Sequence, residues 1–239
     1  MIISHEHKFI FIKCRKVAGS SIELSLAEQC GPDDVITTDP CKEPVARNFD
    51  QPYSIVSQLL ETPHPINAVR AIRDWRKRPA FYSHIDARSA RSRLGKKIWD
   101  SYYKFCFERN PWDKCVSWYY WFYRRQFKYR KDEQAPSFRE HMLKNRFFID
   151  KNFPVDWRRY TIGDELAVDF VGQYSNINAD FERITSDLGL DCSLGHNDKS
   201  DFRDQKSRDL STIYDDETRE AVERLFRKEI KQFGYEFPV

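Results

Sequence analysis

The sequence has none of the features that mark a membrane, secreted or zinc-finger protein. No run of apolar residues approaches the ~20 that a membrane-spanning helix needs, and the N-terminal residues lack the pattern of a signal peptide. The six cysteines form neither a CxxC pair nor the spacing of a zinc finger, which is typical of reduced thiols in a cytoplasmic protein. These absences predict a cytoplasmic protein without a membrane partner, and no cluster of metal-ligating residues is visible.

An excess of charge of one sign is also missing. Lysine and arginine number 40 against 37 aspartate and glutamate residues, so the net charge is only +3. Any cationic binding site must therefore come from local clustering and not from the field of the whole chain. Apolar residues make up 40% of the chain and aromatic residues 15%, which is enough for a core rich in Phe, Tyr and Trp.

Strands and helices alternate along the chain, and their order predicts the fold class. Apolar runs predict strands at residues 9–12, 79–85, 102–107 and 166–171. Helical spacing and capping signals predict helices after residue 20, at 87–94, after residue 110, at 179–188 and at 216–233, with a shorter one at 54–60. This order predicts a single α/β domain over residues 1–239, with a mainly parallel central sheet flanked by helices.

The first candidate site is the loop at residues 14–21. An apolar strand runs into small residues and a single lysine, Lys16, and two serines precede the next helix. Backbone N–H groups and a helix N-terminus then face one point, which favours an anion. The loop is not a Walker A motif, because Lys16 precedes Gly19 by three residues instead of following a glycine. We expect this loop to hold a phosphate-like group of a nucleotide.

The second candidate site repeats this arrangement later in the chain. Arg109 follows a predicted strand, Asn110 is a suitable helix cap, and Pro111 suits the first helical position. Ser117 lies two turns into the predicted helix. An arginine fork and a serine hydroxyl are groups that bind phosphate oxygens.

The two segments together resemble the sulfotransferases that use 3′-phosphoadenosine 5′-phosphosulfate (PAPS), especially the carbohydrate-type branch. Residues 14–21 are similar to that family's 5′-phosphosulfate loop, usually Pro-Lys-Thr-Ala-Gly-Thr-Ser. Arg109 and Ser117 are similar to its 3′-phosphate site, and residues 214–219 and 233–237 match its C-terminal ending. The resemblance implies a P-loop-containing nucleotide-hydrolase-like fold, PAPS as donor, sulfuryl transfer and no metal.

The resemblance also implies which residues bind the donor. In the two motifs they are Arg15, Lys16, Val17, Ala18, Gly19, Ser20, Ser21, Arg109 and Ser117. Lys16 is expected to be catalytic as well, because it would stabilise the departing phosphate. Arg15 and Val17 replace the family's usual proline and threonine, which bears on the affinity for PAPS more than on its identity. Lys199 and Arg203 belong to a later loop that resembles the family segment closing over the nucleotide.

His84 is the candidate general base that would take the proton of the acceptor hydroxyl. It is predicted to end a strand, and histidine titrates near neutral pH as such a base requires. The family often carries a histidine before a short helix and a glycine, a pattern that His84 and Gly95 match. His64, His141 and His196 are weaker candidates, since they fall in a proline-flanked loop, a predicted helix and a later loop.

Two other functions agree with parts of the sequence. A P-loop-type kinase would need a Walker A loop, which is absent, and an acidic Mg²⁺ site that no carboxylate clearly supplies. A nucleic-acid-binding protein would suit residues 118–131, which mix aromatic and basic side chains. Half of these aromatics follow helical spacing, however, and we predict no nucleic-acid partner. The expected acceptor is a hydroxyl, or an amine, of a small molecule or a glycan; neither its identity nor the oligomeric state is readable from a motif.

Overall fold

A computed structural model describes residues 1–37, 46–50, 79–127, 136–144, 153–195 and 209–238. The helix predicted at residues 54–60 lies outside these ranges. The described residues form two compact units, and neither is a continuous stretch of chain. The first comprises Met1–Cys14, Gly19–Phe107 and Arg158–Gly195, and the second comprises Arg15–Ala18, Glu108–Trp157 and His196–Val239. The organisation as one domain over residues 1–239 stays a prediction.

The first unit is built on a mixed five-stranded sheet. The described residues contain the strands β1 (Ile2–Ser4), β2 (Phe9–Phe11), β3 (Val35–Ile36), β4 (Tyr103–Glu108), β5 (Thr161–Ile162), β6 (Glu165–Leu166) and β7 (Phe170–Gln173). Five of them form the sheet in the order β3-β1-β2-β4-β7, and β5 and β6 form a separate antiparallel pair. Strand β1 is antiparallel to β2 and β3, whereas β2 is parallel to β4. The α/β class is therefore confirmed, with antiparallel N-terminal strands added to a parallel pair.

The helices alternate with the strands as predicted. They are α1 (Gly19–Ala27), α2 (Ala87–Leu94), α3 (Lys96–Ser101), α4 (Pro111–Phe127), α5 (Phe138–Lys144), α6 (Trp157–Tyr160), α7 (Ile177–Asp187), α8 (Asp216–Leu225) and α9 (Arg227–Phe233). In the first unit α1 packs on β1 and α7 on β7, and in the second α8 packs on α4, α5 and α9. No helix in the described part of the chain is both long and apolar enough to cross a bilayer.

Capping residues set several of the helix boundaries where the sequence indicates. Helix α2 begins after Asp86, whose Oδ1 accepts a hydrogen bond from the Ser89 backbone N–H at 2.9 Å. It ends at Gly95, whose φ of 82° suits glycine. Asn110 Oδ1 accepts from the Trp112 backbone N–H at 3.2 Å, which caps α4. Gly234 ends α9 in the left-handed conformation, with φ 64°.

Three predicted elements need correction. The strand predicted at residues 79–85 is wrong: this segment contains a turn, closed by a hydrogen bond from the Ile85 N–H to the Tyr82 carbonyl at 3.2 Å. The apolar run reflects burial, since Phe81 and Ile85 are both in the core, and its pairing is limited to a bridge at Pro79 and a hydrogen bond from the Phe81 N–H to the Phe49 carbonyl at 3.0 Å. The strand predicted at 166–171 is divided between β6 and β7. The helix predicted at 216–233 is interrupted at Phe226, where φ is −108° and ψ is 22°.

Each unit has its own apolar core. In the first, the rings of Phe9 and Phe11 lie 5.9 and 5.4 Å from the ring of Phe105, which joins β2 to β4. Gly172 in β7 lies so close to the Phe107 ring that a Cβ there would collide with it. The core of the second unit is formed by Trp112, Cys115, Val116, Trp118, Phe138, Met142, Phe153, Leu210, Val222 and Phe226.

Candidate active site

The backbone of the first loop alternates between negative and positive φ values. Lys16 and Ala18 have positive φ values of 62° and 56°, whereas Arg15, Val17 and Gly19 do not. Such alternation turns successive N–H groups toward one side, where they bind an anion. Each non-glycine residue in this left-handed region costs about 1–2 kcal/mol, so surrounding contacts must hold the loop in place. Val17 is fully buried, and its predicted contact with the donor stays a prediction.

Arg15 is held by the buried carboxylate of Asp156. The Arg15 backbone N–H donates to Asp156 Oδ2 at 2.7 Å, and its guanidinium lies 3.2 Å from Oδ1. The same guanidinium donates to the Phe153 carbonyl at 3.4 Å. Asp156 is completely buried, so this pair fixes the start of the loop from inside the second unit. The predicted contact of Arg15 with the donor stays a prediction.

The second unit brings the lysine loop and the predicted 3′-phosphate segment together. Arg109 Nη1 donates to the Lys16 carbonyl at 3.0 Å, and Arg109 Nε forms an ion pair with Asp113. The guanidinium is mostly buried, which argues against the surface ion pair that is its ordinary alternative. The two motifs, 93 residues apart in sequence, therefore meet through a direct hydrogen bond.

An aromatic residue that the sequence analysis did not select lies beside Lys16. The Lys16 ammonium is 5.3 Å from the centroid of the Trp121 ring, which is a cation–π contact. Trp121 follows Ser117 by one helical turn on α4, so both residues occupy one helix face. The spacing of one helical turn from Ser117 is the signal in the sequence that could have identified Trp121 as a site residue. Ser117 itself is half-buried, and its predicted role is untested by these contacts.

A buried charge cluster lies behind the two motifs. The ammonium of Lys114 is 2.6 Å from Glu108 Oε1 and 2.9 Å from Asp156 Oδ2, and all three side chains are essentially inaccessible to solvent. Burial raises the pKa of Glu108, which Lys114 only partly offsets. Burial likewise raises the pKa of Glu229 to about 7, with the negative charge of Glu108 adding to this effect. Asp156 is distant in sequence from Glu108 and Lys114, so no local pattern marks this cluster.

The first unit contains the proposed base. His84 is half-buried in the turn before α2, and its Nδ1 lies 3.0 Å from the Lys13 carbonyl. A carbonyl only accepts, so Nδ1 carries the proton and Nε2 is the basic nitrogen of the neutral ring. Lys13 is buried and forms an ion pair with Glu23 in α1.

Gly19, where α1 begins, provides room for the Lys13 side chain. A Cβ at Gly19 would lie only 2.9 Å from Lys13 Cγ, which is closer than real Cβ contacts. A larger residue at this position would displace either the helix start or the lysine stem. Ser20 and Ser21 occupy the first turn of α1, where backbone N–H groups lack helical partners.

The other candidates have different positions. His141 lies in a helix, as predicted, and is 4% exposed; burial lowers its pKa to about 4. Its Nδ1 pairs with the Tyr123 hydroxyl at 2.9 Å. Lys199, Arg203, His64 and His196 lie outside the described residues.

The buried carboxyl group of Glu229 should make the free energy of unfolding fall as the pH rises. Its side chain is 1% exposed, and Oε1 has no hydrogen-bond partner among the described residues. The folded state binds the proton more tightly than the unfolded state, whose ordinary pKa is 4.5, so stability is lost between about pH 4.5 and 7. This shift corresponds to about 3 kcal/mol. Glu229→Gln should remove that loss and make the protein more stable than wild type at pH 8.

Urea unfolding at several pH values measures this effect. Glu236→Gln is the matched control, because Glu236 is exposed in the same C-terminal region. Parallel pH dependences of the wild type and Glu229→Gln would contradict the prediction.

Comparison with known proteins gives the family. The family model described as "Sulfotransferase family" matches residues 1–236. The chain belongs to the sulfotransferase family. The resemblance seen in the two motifs is thus confirmed, and with it the enzyme class.

A second protein sequence and a solved structure are also similar to the chain. An uncharacterized protein of Archaeoglobus fulgidus is 38% identical over 103 residues, which is 42% of this chain and 78% of that protein. The crystal structure of mouse sulfotransferase SULT7A1 complexed with PAP is 16% identical, with a TM-score of 0.47, and the match covers 96% of this chain and 86% of that chain.

Proposed function

We propose that this sulfotransferase moves the sulfuryl group of PAPS to a hydroxyl group of a small molecule or a carbohydrate. The observation that carries the proposal is the hydrogen bond between Arg109 and the Lys16 carbonyl, 3.0 Å long. PAPS has a phosphosulfate at one end of its ribose and a phosphate at the other. A donor of this kind needs two neighbouring anion sites, and Lys16 and Arg109 supply one cation for each.

The loop at residues 15–21 is the proposed site of the 5′-phosphosulfate. Its alternating φ angles orient backbone N–H groups toward an anion, and Lys16 adds a full charge. As the sulfuryl group leaves, negative charge grows on the phosphate, and fixed donors stabilise that charge most where they are already oriented. Arg109 and Ser117 are the proposed 3′-phosphate ligands. We retain Lys199 and Arg203 as proposed contacts of the nucleotide on the sequence resemblance.

His84 is the proposed general base. Its Nε2 would accept the proton of the acceptor hydroxyl while the acceptor oxygen forms a bond to sulfur. The bond between sulfur and the bridging phosphate oxygen breaks in the same step, and adenosine 3′,5′-bisphosphate leaves with that electron pair. The Lys13 carbonyl supports this role, because it fixes the tautomer that leaves Nε2 basic.

The acceptor is proposed to be a carbohydrate or another hydroxylated small molecule, since the motifs are most similar to the carbohydrate-type branch. An amine acceptor would need the same donor site. The nucleic-acid alternative is disfavoured by Trp118, which is 5% exposed and belongs to the apolar core. A base cannot stack on a ring that is already covered.

Calorimetric binding of adenosine 3′,5′-bisphosphate and of ATP tests the proposal. The paired anion sites should favour the bisphosphate strongly over ATP, because only the bisphosphate places a phosphate at the 3′ position. At a ligand concentration of about 100 Kd, the bisphosphate should raise the free energy of unfolding by about 2.7 kcal/mol. Tighter binding of ATP than of the bisphosphate would overturn the proposed function.

A further inference from the structure

Lys114 connects the two motifs from behind. Its side chain is completely buried in α4, and its ammonium contacts two carboxylates, those of Glu108 and Asp156, at 2.6 and 2.9 Å. Neither the lysine nor the carboxylates belong to the predicted donor site. A single buried cation between two carboxylates is a geometry that ties the chain segments carrying them together.

Each carboxylate in turn binds the backbone of one motif. Asp156 Oδ2 accepts the Arg15 backbone N–H at 2.7 Å, directly before Lys16. Glu108 Oε1 accepts the Arg109 backbone N–H at 2.8 Å. One ammonium therefore reaches the backbones of both motifs through two charge-assisted hydrogen bonds, which are the stronger kind.

We propose that Lys114 is a positioning residue that holds the 5′-phosphate loop at Arg15–Lys16 and the 3′-phosphate residue Arg109 at the spacing the donor requires. This inference rests on the proposed function. The parallel pairing of β2 with β4 joins the strands that precede the two segments, and after these strands the direct bond from Arg109 to the Lys16 carbonyl is one point of attachment. The Lys114 network supplies a second point and so fixes their mutual orientation.

Stability alone does not account for this network. A buried ion pair is expensive to desolvate, and replacing one with apolar residues of similar volume is often neutral or stabilising. A role in fixing geometry explains why the charge lies there. The loop also contains two strained residues, Lys16 and Ala18, which persist only where neighbouring contacts fix the backbone.

The test uses ligands that report each phosphate separately. Adenosine 5′-monophosphate reports the loop, adenosine 3′-monophosphate reports Arg109, and the bisphosphate reports both. In Lys114→Met, binding of the bisphosphate should weaken by about 10- to 100-fold, the range found when the outer partners of metal ligands are removed. Each monophosphate contacts only one of the two sites, so its affinity should fall less than that of the bisphosphate. Arg109→Ala, in contrast, should lose mainly the 3′-monophosphate.

Two further variants separate positioning from folding. The variant Lys114→Met, Glu108→Gln keeps the shapes of both side chains and removes one charge of each sign, while Asp156 keeps its ion pair with Arg15. It should show the same loss of affinity for the bisphosphate. Val222→Ala is the control: it removes buried apolar volume from the core of the second unit without touching either motif. It should bind all three ligands as wild type does.

The outcomes distinguish the two proposals. If the wild type does not bind the bisphosphate, the proposed function fails, and this inference fails with it. If the wild type binds but the folded double variant keeps its affinity for the bisphosphate within twofold, or loses as much affinity for the monophosphates as for the bisphosphate, the positioning role is overturned and the function stands. An equal loss in Val222→Ala would also overturn it, because general destabilisation would then be the cause.

Discussion

Replacing Lys16 with methionine should lower the rate of sulfuryl transfer at saturating donor by about 10²–10³, with a smaller change in donor affinity. Methionine keeps an unbranched side chain beside Trp121 but removes the charge. The reason for the asymmetry is that the proposed partner of Lys16 gains negative charge during transfer, so the interaction is stronger in the transition state than in the bound donor. Steady-state kinetics with varied PAPS separate the two effects.

A matched control is available in the same chain. Lys8 is also a lysine with positive φ, 55° against 62° for Lys16, and it is exposed. Lys8→Met therefore repeats the substitution in the same backbone conformation without touching the loop, and its activity should equal that of wild type. A saturated rate that survives in Lys16→Met would refute the catalytic role of Lys16.

Local signals allowed much of the fold to be predicted. Asn110 and Pro111 mark the start of α4, and Gly95 and Gly234 mark the ends of α2 and α9, because caps and left-handed glycines act within a few residues. The parallel pairing of β2 with β4 agrees with the predicted mainly parallel sheet, in which each strand is followed by a loop that leads into a helix.

Secondary structure was harder to predict for short apolar runs, whose burial alone does not show whether they form strands. Strand β1 (Ile2–Ser4) is fully buried between β2 and β3, although the polar residues that follow it suggest a solvent-exposed N-terminal segment. The apolar segment before His84 shows the opposite case, because Phe81 is buried but the segment forms only a bridge at Pro79 and then a turn. Whether a short apolar run pairs as a strand depends on distant partners, which periodicity does not show.

The residues of the candidate site differ in the same way, because local motifs mark some of them and only distant contacts mark the others. Lys16 and Arg109 belong to short motifs and could be selected from the sequence. Asp156 could not, because its role depends on a contact with Arg15 across 141 residues. Lys114 follows Arg109 closely in sequence, yet a lysine there gives no sign that it points inward to two carboxylates. Buried charge networks are non-local, and their members look like ordinary surface residues in a sequence.

Replacing His84 with alanine should leave the fold and donor binding intact and reduce transfer to a hydroxyl acceptor by about 10²–10⁴, the usual effect of removing a general base. The half-buried ring is held at Nδ1 by the Lys13 carbonyl, 3.0 Å away, which makes Nε2 the basic nitrogen of the neutral ring. Alanine removes the proton acceptor without introducing a charge. Calorimetry with the bisphosphate checks donor binding, and labelled PAPS with a pool of hydroxyl acceptors measures transfer.

His7 provides the control for the loss of an imidazole ring that is hydrogen-bonded to a backbone carbonyl. It is half-buried in the same unit, and its Nε2 lies 3.0 Å from the Gln29 carbonyl, so His7→Ala loses an equivalent contact. That variant should keep wild-type transfer. The wild-type rate should also decline at acidic pH, where a protonated imidazole cannot accept a proton, and this decline should vanish in His84→Ala. If folded His84→Ala turned over the true acceptor at a near-normal rate, the base would have to be another group, and an acceptor that needs little proton removal, such as an amine, would become the better hypothesis.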